Sequence, residues 1–451
     1  MKQPLSSFNS AAASGSFLFT KSFLSKASLT MNRTALLTRI AFIALACLGL
    51  QSCVMTDHPG VQTSNTQARL QQLTDSLFNH FSSKWGIKQG GIFMRVTNPS
   101  GSYLVSSNIN PPVQDNSHYR VASISKTFTA AAIMRLHQEG LLSIDDPISK
   151  YLPNTPTYNI PNKDQITIKQ LLQHRAGVFD VTNQMIPQTV NQPYANKRYI
   201  DYIRGPLDQG GLNQDTHTFS FDELTGVIAQ NGLVNHAPGA QFHYSNSGYH
   251  LLGKIVEMVQ QRRGMPMSFN DYITRTFFVP LGLTNTYGVV LGADQQIRTP
   301  FLESFLNVLN NGSLQTILKG VDNMSSFIAD GHVVSTPADI SRWMELLISG
   351  QAGISPANVT LMKEMLPGDA GNERYGLGLT FDQGLGFGHD GFQPSYLSRL
   401  RYNPDTKTTV LVVATFAYIP DPAKPQPGPE FLELAHGLRD MGIRGARIVN
   451  R

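Results

Sequence analysis

The stretch Arg120-Val-Ala-Ser-Ile-Ser-Lys-Thr-Phe-Thr-Ala130 places Ser123 and Lys126 three positions apart. The run from Ala122 to Glu139 predicts a helix, so the two side chains share one face of its first turn. The lysine amine can then reach the serine hydroxyl and accept its proton, provided that the amine is partly desolvated. A helix start also offers backbone N–H groups to developing negative charge. Taken alone, this spacing does not distinguish a catalytic pair from a solvated serine and lysine on a surface helix, which have the same spacing.

Two further motifs lie later in the chain. Tyr244-Ser245-Asn246 opens another predicted helix, where the tyrosine oxygen could shuttle a proton and the asparagine amide could hold a substrate carbonyl. His389-Asp390-Gly391 ends a predicted strand, and a glycine there lets a substrate approach the strand edge. Each motif alone favours a structural interpretation, a helix cap for the first and a β-turn for the second.

The three motifs in this order, S-x-x-K, Y-x-N and H-x-G, resemble the serine β-lactamase and penicillin-binding protein family. The chain is most similar to the branch that holds class C β-lactamases, DD-carboxypeptidases and related esterases, over roughly residues 67–441. Supporting stretches are Leu171-Leu-Gln-His-Arg-Ala-Gly, Pro238-Gly-Ala-Gln-Phe-His-Tyr-Ser-Asn-Ser-Gly-Tyr, Pro280-Leu-Gly-Leu and Val334-Ser-Thr-Pro-Ala-Asp. No G-x-S-x-G elbow occurs, which argues against an α/β-hydrolase.

The resemblance implies a role for each motif residue. Ser123 would be the acylated nucleophile, and Lys126 and Tyr244 would share the proton transfers in proportions that the sequence leaves open. Asn246 would hold the substrate amide and help to position Lys126. The remaining substrate-binding residues would be His389 in the family's Lys-or-His position, with Asp390, Gly391 and Phe392 beside it. The backbone N–H groups of Ser123 and Phe392 would form the oxyanion hole, and neither a metal nor an organic cofactor is expected.

Asp390 departs from the family pattern, which usually has threonine or a small residue between the His or Lys and the Gly. If its carboxylate faces the cleft, it repels a carboxylated substrate and favours neutral or cationic acyl substrates. Alternatively, it turns away from the cleft, since neighbouring strand residues face opposite sides, or it pairs with Arg399 or Arg401. The sequence leaves both possibilities open.

The fold class expected is α+β and β-lactamase-like. One antiparallel sheet from both ends of the chain would be covered by the terminal helices, with a second, mainly helical lobe. Periodicity predicts a first helix over Gln67–Phe81 and a last one through Phe431 and Met441. The domain boundaries expected are a leader over 1–52, a tether over 53–66, a catalytic domain over 67–441 and a tail over 442–451. Two polar stretches, Val178–Ser220 and Gly292–Gly320, are predicted to be long loops.

The leader accounts for the whole net charge of +5, because residues 1–52 hold five basic residues and no acidic one. The rest of the chain is neutral, which disfavours nucleic-acid binding. A basic segment precedes the apolar run Ile40–Leu50, and Leu50-Gln51-Ser52-Cys53 resembles a lipobox. We therefore expect an exported lipoprotein lipidated at Cys53 on the periplasmic face of the outer membrane. The alternative is a cleaved signal and a soluble periplasmic protein.

The function expected is an exported serine hydrolase, D-alanyl-D-alanine carboxypeptidase-like and acting on cell-wall peptides. An esterase or amidase of the same fold and a class C-type β-lactamase are the enzyme alternatives. A penicillin-sensing or scaffold module is the non-enzyme alternative, against which the intact motif residues argue. The partners expected are a peptide or small acyl substrate and, through the lipid anchor only, a membrane. A monomer is expected. His174, His236, His243 and His250 lack metal-ligand spacing and are interpreted as structural.

Overall fold

The computed structural model describes residues 60–368, 374–393, 395–421 and 428–451. The predicted leader, Cys53 and the first part of the tether lie outside the described residues. The α-helices are α1 (Gly60–Trp85), α2 (Lys126–Gln138), α3 (Ile168–Leu172), α4 (Tyr199–Arg204), α5 (Phe221–Gln230), α6 (Asn246–Arg262), α7 (Phe269–Ile273), α8 (Pro337–Ile348), α9 (Pro356–Met362) and α10 (Pro429–Val449). The 3₁₀ turns are Ala122–Ser125, Ile148–Lys150, Pro156–Tyr158, Leu207–Gln209 and Ser325–Phe327, and Thr274–Phe278 is a π turn.

The β-strands form three sheets. They are β1 (Ile92–Asn98), β2 (Gly101–Ser107), β3 (Tyr119–Arg120), β4 (Tyr287–Gly288), β5 (Phe305–Asn310), β6 (Ser313–Leu318), β7 (Val333–Ser335), β8 (Leu366–Pro367), β9 (Arg374–Tyr375), β10 (Thr380–Asp382), β11 (Gly386–Gln393), β12 (Tyr396–Asn403), β13 (Thr408–Ala414) and β14 (Phe416–Ile419). The large sheet has the order β2-β1-β13-β12-β11-β10-β9-β8 and is antiparallel throughout. The small sheets have the orders β14-β5-β6 and β3-β7-β4.

The large sheet joins the two ends of the chain, as the sequence predicted. Strand β1 pairs with β13 in a register that aligns Ile92 with Ala414. One sheet face packs against α1 and α10, whose buried apolar side chains, among them Phe81 and Leu438, share one hydrophobic core with Val412. The opposite face packs on the helical part of the molecule through a second and larger core. The predicted α+β fold, with one antiparallel sheet covered by the terminal helices, is confirmed.

Short polar side chains determine where three of the helices begin, among them α6, which carries Asn246. The hydroxyl groups of Ser220, Ser245 and Thr336 accept hydrogen bonds from backbone N–H groups three residues later, at the starts of α5, α6 and α8. Since the first N–H groups of a helix have no partner within it, each cap fixes the starting residue. Among the described residues, no helix is long and apolar enough to cross a membrane.

The structure departs from several predicted limits of helices and loops, whereas the predicted domain boundaries stay predictions. Helix α1 begins at Gly60, so the end of the predicted tether is helical, and α10 continues to Val449 through most of the predicted tail. The predicted loop Val178–Ser220 contains α4, and the predicted loop Gly292–Gly320 contains the β5–β6 hairpin. Its turn is formed by Asn311 and Gly312, which both have positive φ, the conformation for which Asn-Gly pairs are favoured.

Candidate active site

Ser123 lies in the 3₁₀ turn Ala122–Ser125, immediately before α2 rather than inside it. The preceding residue, Ala122, has a φ of 50°, a left-handed conformation that is unfavourable for residues other than glycine. The surroundings hold this turn in place, because the Val121 N–H donates to the Val333 carbonyl over 3.2 Å. The serine is therefore presented on a constrained turn at the junction of a strand and a helix.

Lys126 is completely buried one helical turn after Ser123. Its Nζ donates to Ser123 Oγ at 3.2 Å, to Asn246 Oδ1 at 2.7 Å and to the Asp330 backbone carbonyl at 3.1 Å. Burial lowers the pKa of this ammonium below its ordinary value, while the carboxylates of Asp330 and Asp180 act in the opposite direction. A buried amine with a lowered pKa in contact with a serine hydroxyl suits the acceptance of that proton.

Asn246 opens α6 and holds Lys126 in place. Besides accepting from the lysine, its amide donates through Nδ2 to Thr182 Oγ1 at 3.0 Å, and its backbone N–H donates to Asp180 Oδ2 at 3.0 Å. The predicted positioning of Lys126 by Asn246 therefore agrees with the geometry. Its predicted contact with a substrate amide stays a prediction.

Tyr244 lies next to the lysine, two residues before Asn246. Its ring centroid is 4.8 Å from Lys126 Nζ and stacks on the His174 ring with a centroid distance of 4.0 Å. This places the phenol ring, half-buried, next to both Lys126 and the buried His174. The third predicted catalytic residue is thus brought to the same place.

Strand β11 supplies the edge beside this turn. Strand β10 pairs only with Gly386–Gly388, so from His389 onward the strand has β12 on one side and the Ser123 turn on the other. The approach is so close that a Cβ on Gly391 would lie 2.3 Å from the Val121 carbonyl oxygen. The motif lies in the middle of a strand, and not at the strand end that the sequence suggested. The side chain of Phe392 packs edge-on against Phe431 of α10, so only its backbone remains for the predicted oxyanion hole.

His389 is buried, and both of its ring nitrogens are bonded within the protein. His174 Nδ1 accepts from the Ser245 N–H, so His174 Nε2 carries the hydrogen and donates to Tyr375 Oη at 3.1 Å. Tyr375 in turn donates to His389 Nε2 at 2.8 Å, and His389 Nδ1 donates to the Asp390 carbonyl at 2.5 Å. Burial, followed by the charge of Lys126, lowers the pKa of His389 to about 3. The ring is therefore neutral near pH 7.

Asp390 points to the α10 side of the sheet, where two arginines neutralise it. Its carboxylate lies 2.7 Å from a guanidinium nitrogen of Arg399 and 2.7 Å from one of Arg401. The same cluster contains Asp382 and Arg439. Burial raises the pKa of Asp382, but the three guanidinium groups outweigh this and hold it below its usual range. Of the two possibilities for Asp390, the ion pair is confirmed and repulsion of a carboxylated substrate is not supported.

A family model described as Beta-lactamase matches residues 95–428, most of the chain. The chain belongs to this beta-lactamase family. It is accordingly a member of a serine hydrolase family of the β-lactamase and penicillin-binding protein type, and the predicted recognition and β-lactamase-like fold are confirmed.

Two curated proteins illustrate what this beta-lactamase family member is similar to in sequence. It is 26% identical to Protein flp of Staphylococcus aureus (strain N315) over 310 residues, which are 67% of this chain and 54% of that protein. It is 28% identical to Penicillin-binding protein 4* of Bacillus subtilis (strain 168) over 177 residues, 39% of this chain and 31% of that protein. The chain thus spans 54% of the length of the first of these relatives and 31% of the second.

Solved structures share the beta-lactamase family fold. The D-amino acid amidase from Ochrobactrum anthropi SV3 aligns with a TM-score of 0.63 and 19% identity, over 84% of this chain and 98% of that one. A penicillin-binding protein homologue from Pyrococcus abyssi, described as octameric, aligns with a TM-score of 0.60 and 21% identity, over 85% of this chain and 77% of that one. At these identities the likeness shows the fold alone.

The sequence missed three buried residues of this beta-lactamase-type site. Asp330 contacts Lys126, while His174 and Tyr375 hold His389. His174 was interpreted as structural. No sequence spacing links any of these three residues to the motif residues, because Asp330 is 204 positions from Lys126 and His174 is 201 positions from Tyr375. Within the part of the chain that the structure describes, no group of three or more His, Cys, Asp or Glu side chains is suited to a metal ion.

Proposed function

We propose that the protein is an exported serine hydrolase that forms an acyl-enzyme on Ser123 and removes the terminal residue of cell-wall peptides ending in D-alanyl-D-alanine. The observation that carries the choice of a carboxylated substrate is the pairing of Asp390 with Arg399 and Arg401. Because this pairing cancels the acid's charge, the residue that distinguishes the motif does not repel a peptide carboxylate.

The geometry supports a simple sequence of steps. Ser123 Oγ attacks the peptide carbonyl carbon while its proton passes to Lys126 Nζ, 3.2 Å away, with Tyr244 beside the same amine. The backbone N–H groups of Ser123 and Phe392 would hold the oxygen that becomes negative. The C–N bond then breaks, and the departing D-alanine amine takes up the proton. Water attacks the resulting ester carbonyl, loses a proton to the same basic groups and releases the shortened peptide with Ser123 restored.

A second candidate, an amidase or esterase for uncharged substrates, is favoured by His389. Its ring is neutral and both nitrogens are already bonded to Tyr375 and Asp390, so it offers a carboxylate neither charge nor a free N–H. A substrate that ends in an amide or an ester needs neither. The two candidates share the nucleophile and differ only in the charge of the substrate terminus.

A matched pair of substrates distinguishes these candidates. We expect an N-acylated D-alanyl-D-alanine peptide to release D-alanine, and the same peptide ending in L-alanine to be resistant. The C-terminal amide of the D,D-peptide is compared in the same assay by mass spectrometry and by ammonia release. A kcat/KM for the free acid at least tenfold above that for the amide supports the carboxypeptidase. The reverse order establishes the amidase candidate instead.

We also propose that the protein is anchored through a lipid on Cys53, on the strength of the basic segment, apolar run and lipobox-like tetrad of the leader. We expect Cys53→Ser to move the protein from the membrane fraction to the soluble periplasm of a Gram-negative host and to abolish incorporation of radiolabelled palmitate. Cys47→Ser is the matched control and should remain membrane-bound and labelled. A wild-type protein that is already soluble and unlabelled would refute the anchor.

A further inference from the structure

A buried acid and a buried histidine lie behind Lys126, and the steps above use neither. Asp330 is 1% exposed, and its Oδ2 is 3.5 Å from Lys126 Nζ. Its other carboxylate oxygen, Oδ1, is 2.9 Å from Nε2 of His250, which is also 1% exposed. Burying a charged group lowers the stability of the fold unless an opposite charge or hydrogen bonds compensate it, so the charges of Asp330, His250 and Lys126 must balance one another.

The hydrogen bonds of His250 indicate that it is neutral. Its Nδ1 is buried and, among the described residues, has no hydrogen-bond partner. A proton on that nitrogen would be an unsatisfied buried donor, whereas a bare lone pair is cheaper. The hydrogen therefore sits on Nε2 and is donated to Asp330, which accepts it as a carboxylate. The negative charge of Asp330 is left to be balanced by Lys126.

Of the two acids near Lys126, Asp330 is the one in contact with the amine, while the charge of Asp180 acts on the amine from farther away. The carboxylate of Asp180 is hydrogen-bonded elsewhere. Its Oδ1 accepts from Thr182 Oγ1, and its Oδ2 accepts from the Asn183 side chain and from the backbone N–H of Asn246. The remaining titratable neighbours are the neutral histidines and two tyrosine rings near the amine, namely His174, His389, Tyr244 and Tyr249. Asp330 is thus the acid in contact with the amine.

The loop that carries Asp330 is held on both sides of the site. The preceding residue, Ala329, has a φ of 72°, and its carbonyl accepts from Thr129 Oγ1 of α2 at 2.5 Å. On the other side, Gln393 at the end of β11 donates to the Gly331 carbonyl at 2.9 Å. A strained backbone held between two elements of the site places the carboxylate at a fixed distance from the amine.

We propose that Asp330 is a positioning residue for Lys126, whose carboxylate holds the amine between Ser123 and Asn246 and sets the pH at which that amine can accept the serine proton. The inference deepens the proposed function and rests on its acyl-enzyme mechanism. An adjacent anion stabilises the ammonium form, so the amine keeps its proton to higher pH than it would without Asp330. Removing the anion must therefore extend activity toward lower pH.

The test is the isosteric variant Asp330→Asn. We expect the acidic limb of its kcat/KM profile, measured with a neutral p-nitrophenyl ester, to move down by about 1 to 3 pH units, the usual effect of an opposite charge at this distance. A neutral ester does not titrate, so the limb belongs to the enzyme. Asp145→Asn, which removes the same charge from an exposed position, should leave the limb in place. A lower rate at every pH with an unmoved limb would overturn the inference.

A stability measurement serves if Asp330→Asn proves poorly folded. Lys126→Met leaves the carboxylate buried without its cation, and we expect a lower Tm. Adding Asp330→Asn to it should then raise the Tm again, because both charges are gone. A double variant no more stable than Lys126→Met would refute the pairing. If Ser123 is acylated normally while Asp330→Asn changes neither readout, the proposed function stands and this inference falls. If the wild type forms no acyl-enzyme, the proposed function falls first.

Discussion

Replacing Ser123 with alanine is expected to abolish acylation and to lower hydrolysis by at least about 10³-fold, because loss of the nucleophile of a serine hydrolase removes most of its catalysis. The fold should be unaffected. The Oγ of Ser123 is one of several acceptors for Lys126, and Asn246 and the Asp330 carbonyl remain after its removal. Intact-mass spectrometry after incubation with a fluorophosphonate and with a penicillin measures the adduct directly.

The matched control for this variant is Ser125→Ala. Ser125 belongs to the same turn but is buried, and its Oγ accepts from the Val333 N–H at 3.2 Å instead of touching Lys126. We expect this variant to lose about 1 kcal/mol of stability for the lost hydrogen bond and still to be acylated. An adduct that persists on the Ser123→Ala protein, or disappears only from Ser125→Ala, would show that the nucleophile has been misassigned.

Gly391→Ala is expected to have the second-largest effect. The new Cβ would lie 2.3 Å from the Val121 carbonyl oxygen and 3.3 Å from the Ala122 Cβ. The closer atom belongs to backbone that is itself held in place by the bond from Val121 to Val333, so the strand and the Ser123 turn must separate by about 1 Å to restore an ordinary contact. Displacement of that size at a catalytic centre costs on the order of 10²-fold in rate, and forced overpacking costs about 1–3 kcal/mol of stability.

The acylation rate and Tm of Gly391→Ala are measured together. Gly101→Ala makes the same change at a position in β2 where the nearest contact is 3.6 Å away, and we expect it to be acylated at the wild-type rate. If Gly391→Ala were acylated as fast as the wild type, the close contact between the β11 edge and the turn would not matter for catalysis.

The sequence predicted best those features that depend on local pattern. Helix α6 begins at Asn246, where the Tyr244-Ser245-Asn246 motif was predicted to open a helix, and the three motifs meet although they are far apart along the chain. The β5–β6 hairpin was missed although Asn311-Gly312 is a recognisable turn signal, because the polar character of the surrounding stretch was given more weight.

The rest of the site depends on tertiary contacts that no local pattern encodes. Asp330 meets Lys126 across 204 positions, and His174 meets Tyr375 across 201. The side of the sheet to which Asp390 points depends on both local pattern and tertiary contacts. Strand alternation allowed it to face away from the cleft, but only the register of β11 against β12, which pairs it with Arg399, decides the matter.

The pairing of β1 with β13 has a consequence for how the site comes into existence. Gly91 and Thr415, bonded at 3.0 Å, are 324 positions apart, and the strand that flanks Ser123 is attached to β1 only through β12 and β13. Contacts between residues so far apart in sequence form slowly, because the chain loses the entropy of closing a long loop before the contacts stabilise it. A growing chain therefore contains its serine and lysine long before it contains the strand beside them. We therefore expect Ser123 to become reactive only after β12 and β13 have been synthesised and have paired with β1.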